Sequence, residues 1–245
     1  MSGYQGLKQM DKLQLRVAQI WPQAGGIKGF ELVSPSGGAL PEFSAGAHLV
    51  IHLPNGLTRQ YSMCNDPSET HRYELGVLKA NDGRGGSAFM HDMVKAGDLL
   101  NVDAPRNNFD LKPDAQTYIL IAGGVGITPL LAMGRQLNRL GRHYRLFYCT
   151  RSAETTAYRE LLSGTDFAGK ITFVHDGGDP KQGLDVEALL RDVPQNGRVY
   201  CCGPAGLMAA VRAAAAHWPV ERVHFEAFSA DPAAKPAASG GDQAF

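Results

Sequence analysis

The chain has 245 residues and a formal net charge of zero, with 24 Lys plus Arg against 24 Asp plus Glu. Hydrophobic residues make up 44% and charged residues 20%, which excludes wholesale disorder and leaves room for one large domain or two ordinary ones. The missing basic excess argues against a nucleic-acid partner, because such binding rests on displacing counterions from phosphates. Glycine, at 29 residues, is over-represented. That points to tight turns and to backbone that approaches something closely.

The first residues contain no apolar run of the signal-peptide type. The longest uncharged stretch, Ala115 to Gly134, carries Gly123, Gly124, Gly126 and Pro129 in its middle. These residues would break a membrane helix, so no membrane span is expected. Cys64, Cys149, Cys201 and Cys202 show no metal-ligand spacing, and the adjacent pair would face opposite ways on a strand. Reduced thiols and a cytoplasmic location are the expectation.

In chain order, residues 13–21, 30–33, 48–53, 73–79 and 98–104 read as strands separated by turn signals, with one short helical stretch near Ala88–Val94. This spacing predicts a small antiparallel β-barrel. After Pro105 the pattern changes. Tyr118-Ile-Leu-Ile-Ala is a continuous apolar strand, followed by a helix with Leu130, Met133, Leu137 and Leu140 on one stripe. Strands at 144–150, 171–175, 198–202 and 223–226 then alternate with helical stretches near 158–162, 186–191 and 207–216. Such alternation predicts a parallel sheet covered by helices. The expected organisation is a barrel domain over 1–112, an α/β domain over 113–230 and a linker-like tail, rich in Ala, Pro and Gly, over 231–245.

Ala122 to Pro129 (AGGVGITP) sits between the apolar strand and the amphipathic helix. Its glycines, with Thr128 as the expected N-cap and Pro129 at the expected first helical position, make a cradle for a dinucleotide pyrophosphate. Read on its own, the loop is equally well a tight turn whose glycines serve packing. In the barrel half, Arg59 could pair with a phosphate, Tyr61 offers a flat ring and Ser62 a hydroxyl, while Gly83-Arg84-Gly85-Gly86-Ser87 offers a second backbone cradle. Each also has a plain reading: a solvated arginine, a core tyrosine, a flexible loop. Tyr200 to Met208 (YCCGPAGLM) carries Cys202 to the end of another strand, where a buried cysteine is also simply a small hydrophobe. Glu226 and Phe228 follow the last strand.

Taken together and in this order, Arg59-x-Tyr61-Ser62, the GRGGS loop, Gly123 to Pro129, Cys202-Gly203-Pro204-x-Gly206-Leu207-Met208 and Phe225-Glu226-x-Phe228 resemble the ferredoxin–NADP reductase superfamily. They are most similar to the phthalate dioxygenase reductase group, the reductase components of Rieske-type aromatic oxygenases and demethylases. The resemblance implies a flavin-binding barrel followed by a nicotinamide-binding α/β domain. It implies that Arg59, Gly85, Gly86 and Ser87 hold flavin phosphate, that Tyr61 and Ser62 meet the ring, and that Lys79, Thr128 and Phe228 complete the flavin site. It places Gly124, Gly126, Thr128, Thr150, Arg151, Cys202, Gly203, Pro204 and Met208 on the nicotinamide nucleotide, with Ser62, Cys202 and Glu226 nearest the chemistry.

FMN is favoured over FAD because the GRGGS loop resembles the FMN subgroup. NADH is favoured over NADPH from the same subgroup, although Arg151 after the second parallel strand, with no acid before Glu154, pulls towards NADPH. Relatives often carry a 2Fe–2S domain after such a linker, with cysteines spaced C-x4-C-x2-C. That spacing is missing here, so no cluster is expected in this chain, and the electron acceptor is expected to be a Rieske-type oxygenase component or a separate ferredoxin domain. Two other readings stay open at this point: a non-catalytic nucleotide-binding module, and a flavin reductase without an iron–sulfur partner.

Overall fold

The computed structural model describes residues 12–80 and 85–228. Among these residues eleven strands form two sheets. The first sheet is built from β1 (Lys12–Ala24), β2 (Ile27–Val33), β3 (Ala47–His52), β4 (Thr58–Ser62), β5 (Tyr73–Leu78) and β6 (Leu99–Asn107). Their spatial order is β4-β3-β6-β1-β2-β5, every ladder is antiparallel, and a bridge between Met63 and Leu75 joins the two ends into a barrel. Alternation decides what faces inwards: Leu15, Val17, Leu49, Ile51, Leu75, Val77, Leu100 and Val102 fill the barrel core. The short helix α1 (Gly86–Asp92) plugs one end with Met90.

The sequence predicts five barrel strands, and β4 is the one it misses. Thr58-Arg-Gln-Tyr-Ser offers one large apolar side chain, Tyr61. The strand exists because β3 supplies a complete antiparallel ladder, with Arg59 opposite Ile51 and Ser62 opposite His48.

The second sheet is parallel, in the order β11-β10-β7-β8-β9: β7 (Thr117–Gly123), β8 (His143–Thr150), β9 (Ile171–His175), β10 (Gly197–Cys202) and β11 (Val223–Glu226). Helices α2 (Ile127–Arg139), α3 (Arg159–Leu162), α4 (Val186–Leu190) and α5 (Ala205–Ala214) connect the strands. Apolar residues pack on both faces: Leu120, Tyr148, Tyr200 and Cys202 join the core under α2, while Ile119, Ile121, Phe147 and Cys201 join the core under α4 and α5. Cys201 and Cys202 thus point into opposite cores, and all four cysteines are free thiols. Among the described residues no helix is long and apolar enough to cross a membrane.

The two sheets share a polar seam. Gln23 Oε1 accepts from the Tyr158 backbone N–H at 3.2 Å, Ala45 N–H donates to Gln136 Oε1 at 3.4 Å, and Tyr158 Oη lies 3.3 Å from Cys64 Sγ. Tyr158 also adopts a φ of 58°, a left-handed conformation rare for an aromatic residue. The carboxyl ends of the parallel strands open at this seam, in the position where α/β sheets bind ligands.

Candidate active site between barrel and parallel sheet

Three strands end side by side at the seam. Glu226 is the register partner of Cys202, which is in turn the partner of Ala122, the residue before the glycine turn. From the barrel, Ser62 Oγ donates to Glu226 Oε2 at 3.1 Å, although the two residues are 164 positions apart. Burial pushes the Glu226 carboxyl up to about 7, and the Ser62 hydrogen bond partly offsets this. The Cys202 thiol is 0% exposed, and burial first, then the neighbouring Glu226, raises it far above its ordinary range. Cys202 is therefore a neutral thiol at neutral pH, packed in the core under α2 and not suited to nucleophilic attack.

The glycine turn lies beside them. Gly124 takes a φ of 53° and has nothing near its missing side chain, so its backbone is open to a ligand. Gly126 differs: a Cβ there would collide with the Cys202 carbonyl, so that glycine serves close packing of the turn on β10. Gly124–Gly126 forms a single 3-10 turn, and α2 starts directly after it at Ile127. Thr128 is therefore not the N-cap. It is the second helical residue, 1% exposed, and its hydroxyl donates to the Val125 carbonyl at 3.1 Å. Pro129 is correspondingly the third helical residue. The reason is local: the Ile127 N–H bonds back to the carbonyls of Gly124 and Val125, so backbone starts the helix and no side chain is required.

On the barrel, Arg59 Nη1 donates to the Thr58 carbonyl at 2.8 Å, and its guanidinium lies so close to Gly86 that any Cβ there would collide with it. Gly85, with a φ of 82°, is the N-cap of α1 and has no side-chain cap. A cation is thus held beside the uncapped start of α1, an arrangement suited to a phosphate. Ser87 Oγ accepts from the Ala80 N–H at 3.1 Å, which fastens the cradle to β5. Gly83 and Arg84 lie outside the described residues. Tyr61 packs against the barrel core, yet its hydroxyl is buried without a partner, and burial pushes its pKa up to about 12. Lys79 is engaged elsewhere, with Nζ 2.7 and 2.8 Å from the two Asp92 carboxylate oxygens. Phe228, 44% exposed, stands two residues beyond Glu226.

On the nucleotide side, Thr150 is buried and its hydroxyl holds its own loop, at 2.8 Å from Thr156 Oγ1 and 2.9 Å from His175 Nδ1. Arg151 is exposed. Gly203 and Pro204 lead into α5, where Met208 packs on the core beneath. Two residues outside the sequence motifs also reach this region. Asp176 follows β9, and its N–H bonds to the Thr150 carbonyl at 3.2 Å while the Gly177 N–H bonds to that of Arg151 at 3.0 Å. Burial first and the Asp176 charge second raise the Cys149 thiol to about 11, and Asp176 Oδ1 accepts from the Gly178 N–H at 2.8 Å. The second is His48, opposite Ser62 on β3. The extension of the β8–β9 ladder past Thr150 and the alternation of β3, which turns His48 away from Leu49 and Ile51, are the signals that reveal them.

The model of the oxidoreductase NAD-binding domain matches residues 120–213. The chain is 46% identical over 220 residues to the tert-butanol monooxygenase / tert-amyl alcohol desaturase reductase subunit of Aquincola tertiaricarbonis, covering 90% of this chain and 65% of that protein. It is 43% identical over 219 residues to phthalate dioxygenase reductase of Burkholderia cepacia, covering 89% and 68% of the two chains. The solved structure of a phthalate dioxygenase reductase superposes with a TM-score of 0.87 at 43% identity, over 90% of this chain and 69% of that one. The chain thus spans about two thirds of the length of these relatives. With the barrel, the parallel sheet and the family's motifs all in place, it belongs to the phthalate dioxygenase reductase group of oxidoreductases, within the ferredoxin–NADP reductase superfamily.

Proposed function

We propose that this chain is the flavin- and nicotinamide-binding part of an electron-transfer reductase serving a Rieske-type aromatic oxygenase or demethylase, and that it works in the cytoplasm. The observation that carries this reading is the Ser62–Glu226 hydrogen bond, which joins a barrel strand to the end of the parallel sheet beside Cys202 and the glycine turn. The names of its relatives as reductase subunits of oxygenases and demethylases support it.

The site fits a flavin on its own features: an orphaned Tyr61 hydroxyl, the Arg59–Gly86 cradle and the open Gly124 backbone. A bound flavin would supply hydride acceptance from reduced nicotinamide and one-electron release to an iron–sulfur centre. Arg59, Gly85, Gly86 and Ser87 hold its phosphate, which suits FMN. Tyr61 and Ser62 would meet the ring and Phe228 would lie near it, whereas Lys79 is held by Asp92 and the Thr128 hydroxyl by the Val125 carbonyl. The open Gly124 backbone would receive pyrophosphate, with Gly126 packing the turn on β10, while Thr150, Arg151, Gly203, Pro204 and Met208 would line the nucleotide path and the buried Cys202 would support the nicotinamide side from within the core. Asp176 beside Arg151 supplies the acid that accepts a ribose 2′-hydroxyl and repels a 2′-phosphate, which supports NADH as donor. Of the barrel domain over 1–112, the nucleotide domain over 113–230 and the tail over 231–245, residues 1–11, 81–84 and 229–245 lie outside the described residues; the iron–sulfur centre belongs to a partner component or ferredoxin domain.

The test is an anaerobic absorbance titration of the purified protein with NADH and then NADPH. Stoichiometric bleaching of a flavin band by NADH is the expected outcome. A colourless protein that neither FMN nor FAD reconstitutes overturns the reading in favour of a non-catalytic module. A bleaching flavin with no iron–sulfur acceptor in a partner pull-down leaves a plain flavin reductase.

A further inference from the structure

His48 is 4% exposed, and its Nε2 is buried without a hydrogen-bond partner. Leu49 and Ile51 on the same strand point into the barrel core, so alternation turns His48 to the opposite face. Register sets Ser62 directly opposite it on β4 and Arg106 directly opposite it on β6. Directly opposed residues share a face, with Cβ atoms about 4.5–5.5 Å apart. His48 is thus the lateral neighbour of the hydroxyl that binds Glu226. Burial first and the Arg106 charge second hold its imidazole below the ordinary histidine range, so it is neutral at neutral pH and offers one nitrogen lone pair. The other titratable groups on this side are Asp103 on β6, paired to Arg106 and at 2.8 Å from Nε2 of His52 on β3, and Glu226 beyond Ser62 on β11.

A serine hydroxyl carries one proton and must place it somewhere. With Glu226 ionised, Oε2 accepts that proton, as the geometry shows. Once Glu226 is protonated, its carboxyl can donate to Ser62, and the serine proton then needs a second acceptor in a site sheltered from water. We propose that His48 is a positioning residue for the flavin site: its Nε2 accepts the Ser62 proton whenever Glu226 does not, so the hydroxyl keeps a defined direction in both charge states of the carboxyl. This rests on the reading that Ser62 lies against the flavin.

The test measures the FMN dissociation constant by fluorescence quenching for the wild type, His48→Leu and His48→Gln, the glutamine amide reaching the place of Nε2. It is run at pH about 6 and about 8, on either side of the Glu226 titration at about 7. The wild type is expected to bind alike at both. His48→Leu is expected to match it at the higher pH but to bind about tenfold more weakly at the lower, and His48→Gln to recover to within about twofold. A leucine variant that changes binding equally at both pH values, or at neither, overturns the role of His48 while leaving the flavin reading intact. A wild type that binds neither FMN nor FAD overturns the flavin reading and this proposal with it. If circular dichroism shows His48→Leu unfolded, His48→Asn, whose amide is too short to reach the Nε2 position, takes its place against His48→Gln under the same criteria.

Discussion

The barrel and the parallel sheet solve the same problem in different ways. In the barrel, alternation turns Ser62, His48 and Arg106 to the face away from the core, so they stand in one polar row across three strands while Leu49 and Ile51 fill the core behind them. The parallel sheet is covered by helices on both faces, so its chemistry is confined to strand ends and the turns that follow them. A barrel site is therefore held by side chains on a rigid surface, and a sheet-end site by backbone in tight turns. Mutations in the two regions should fail in different ways.

The largest effect is expected within the glycine turn. Gly126→Ala puts a Cβ onto the Cys202 carbonyl, which belongs to a neighbouring strand and cannot swing aside, and should lower stability by about 3 kcal/mol in urea unfolding. Gly124→Ala has open space and meets only the left-handed φ of 53°, a strain of about 1 kcal/mol. Its main loss should be in nicotinamide nucleotide affinity. Equal destabilisation by both would show that the turn's conformation matters and its close approach to β10 does not. On the barrel side, Arg59→Ala should leave thermal stability nearly unchanged and weaken flavin retention roughly tenfold to a hundredfold, as for loss of charge-assisted hydrogen bonds. A variant that keeps its full flavin complement after desalting removes Arg59 from the site.

Where the two regions meet, Glu226 makes stability depend on pH. Its carboxyl is raised to about 7 in the folded state, so the folded protein holds a proton that the unfolded chain has already released. Stability therefore falls as pH climbs from the ordinary carboxylate range to about 7 and levels off above it. Glu226→Gln should abolish that fall and exceed the wild type by on the order of 2 kcal/mol in alkaline buffer, with little difference in acid. Parallel stability–pH curves for the two proteins would contradict the buried pair. The smallest effect is expected at Asp176→Asn, which should shift preference between NADH and NADPH by about tenfold through loss of one rim charge, read from the ratio of kcat/KM values. An unchanged ratio would place the ribose elsewhere.

Long elements were the most legible in the sequence. The apolar run at Tyr118 and the α2 stripe announce themselves because burial on one or both faces leaves a pattern in the residues. β4 was illegible because its five residues are largely polar and its pairing is supplied by β3. The capping preference of Thr128 sets the expected helix start after the glycine turn, whereas the 3-10 turn satisfies the first N–H from backbone carbonyls and starts the helix two residues earlier, at Ile127. The resemblance named Ser62, Cys202 and Glu226, but no spacing could say that Ser62 and Glu226 touch, since they lie 164 residues apart.

The sequence by itself determined the two sheet types, the glycine turn, the phosphate-binding arginine candidate and the family, because periodicity and motif order are local properties of the chain. Only the tertiary structure decided which glycine is open and which is packed, that Lys79 turns to Asp92, and that Asp176 stands beside Arg151. It also decided that His48 lies buried next to Ser62 with an unused nitrogen. Each of these depends on which strand lies beside which, and that is fixed by packing across the fold, not by neighbours in the chain.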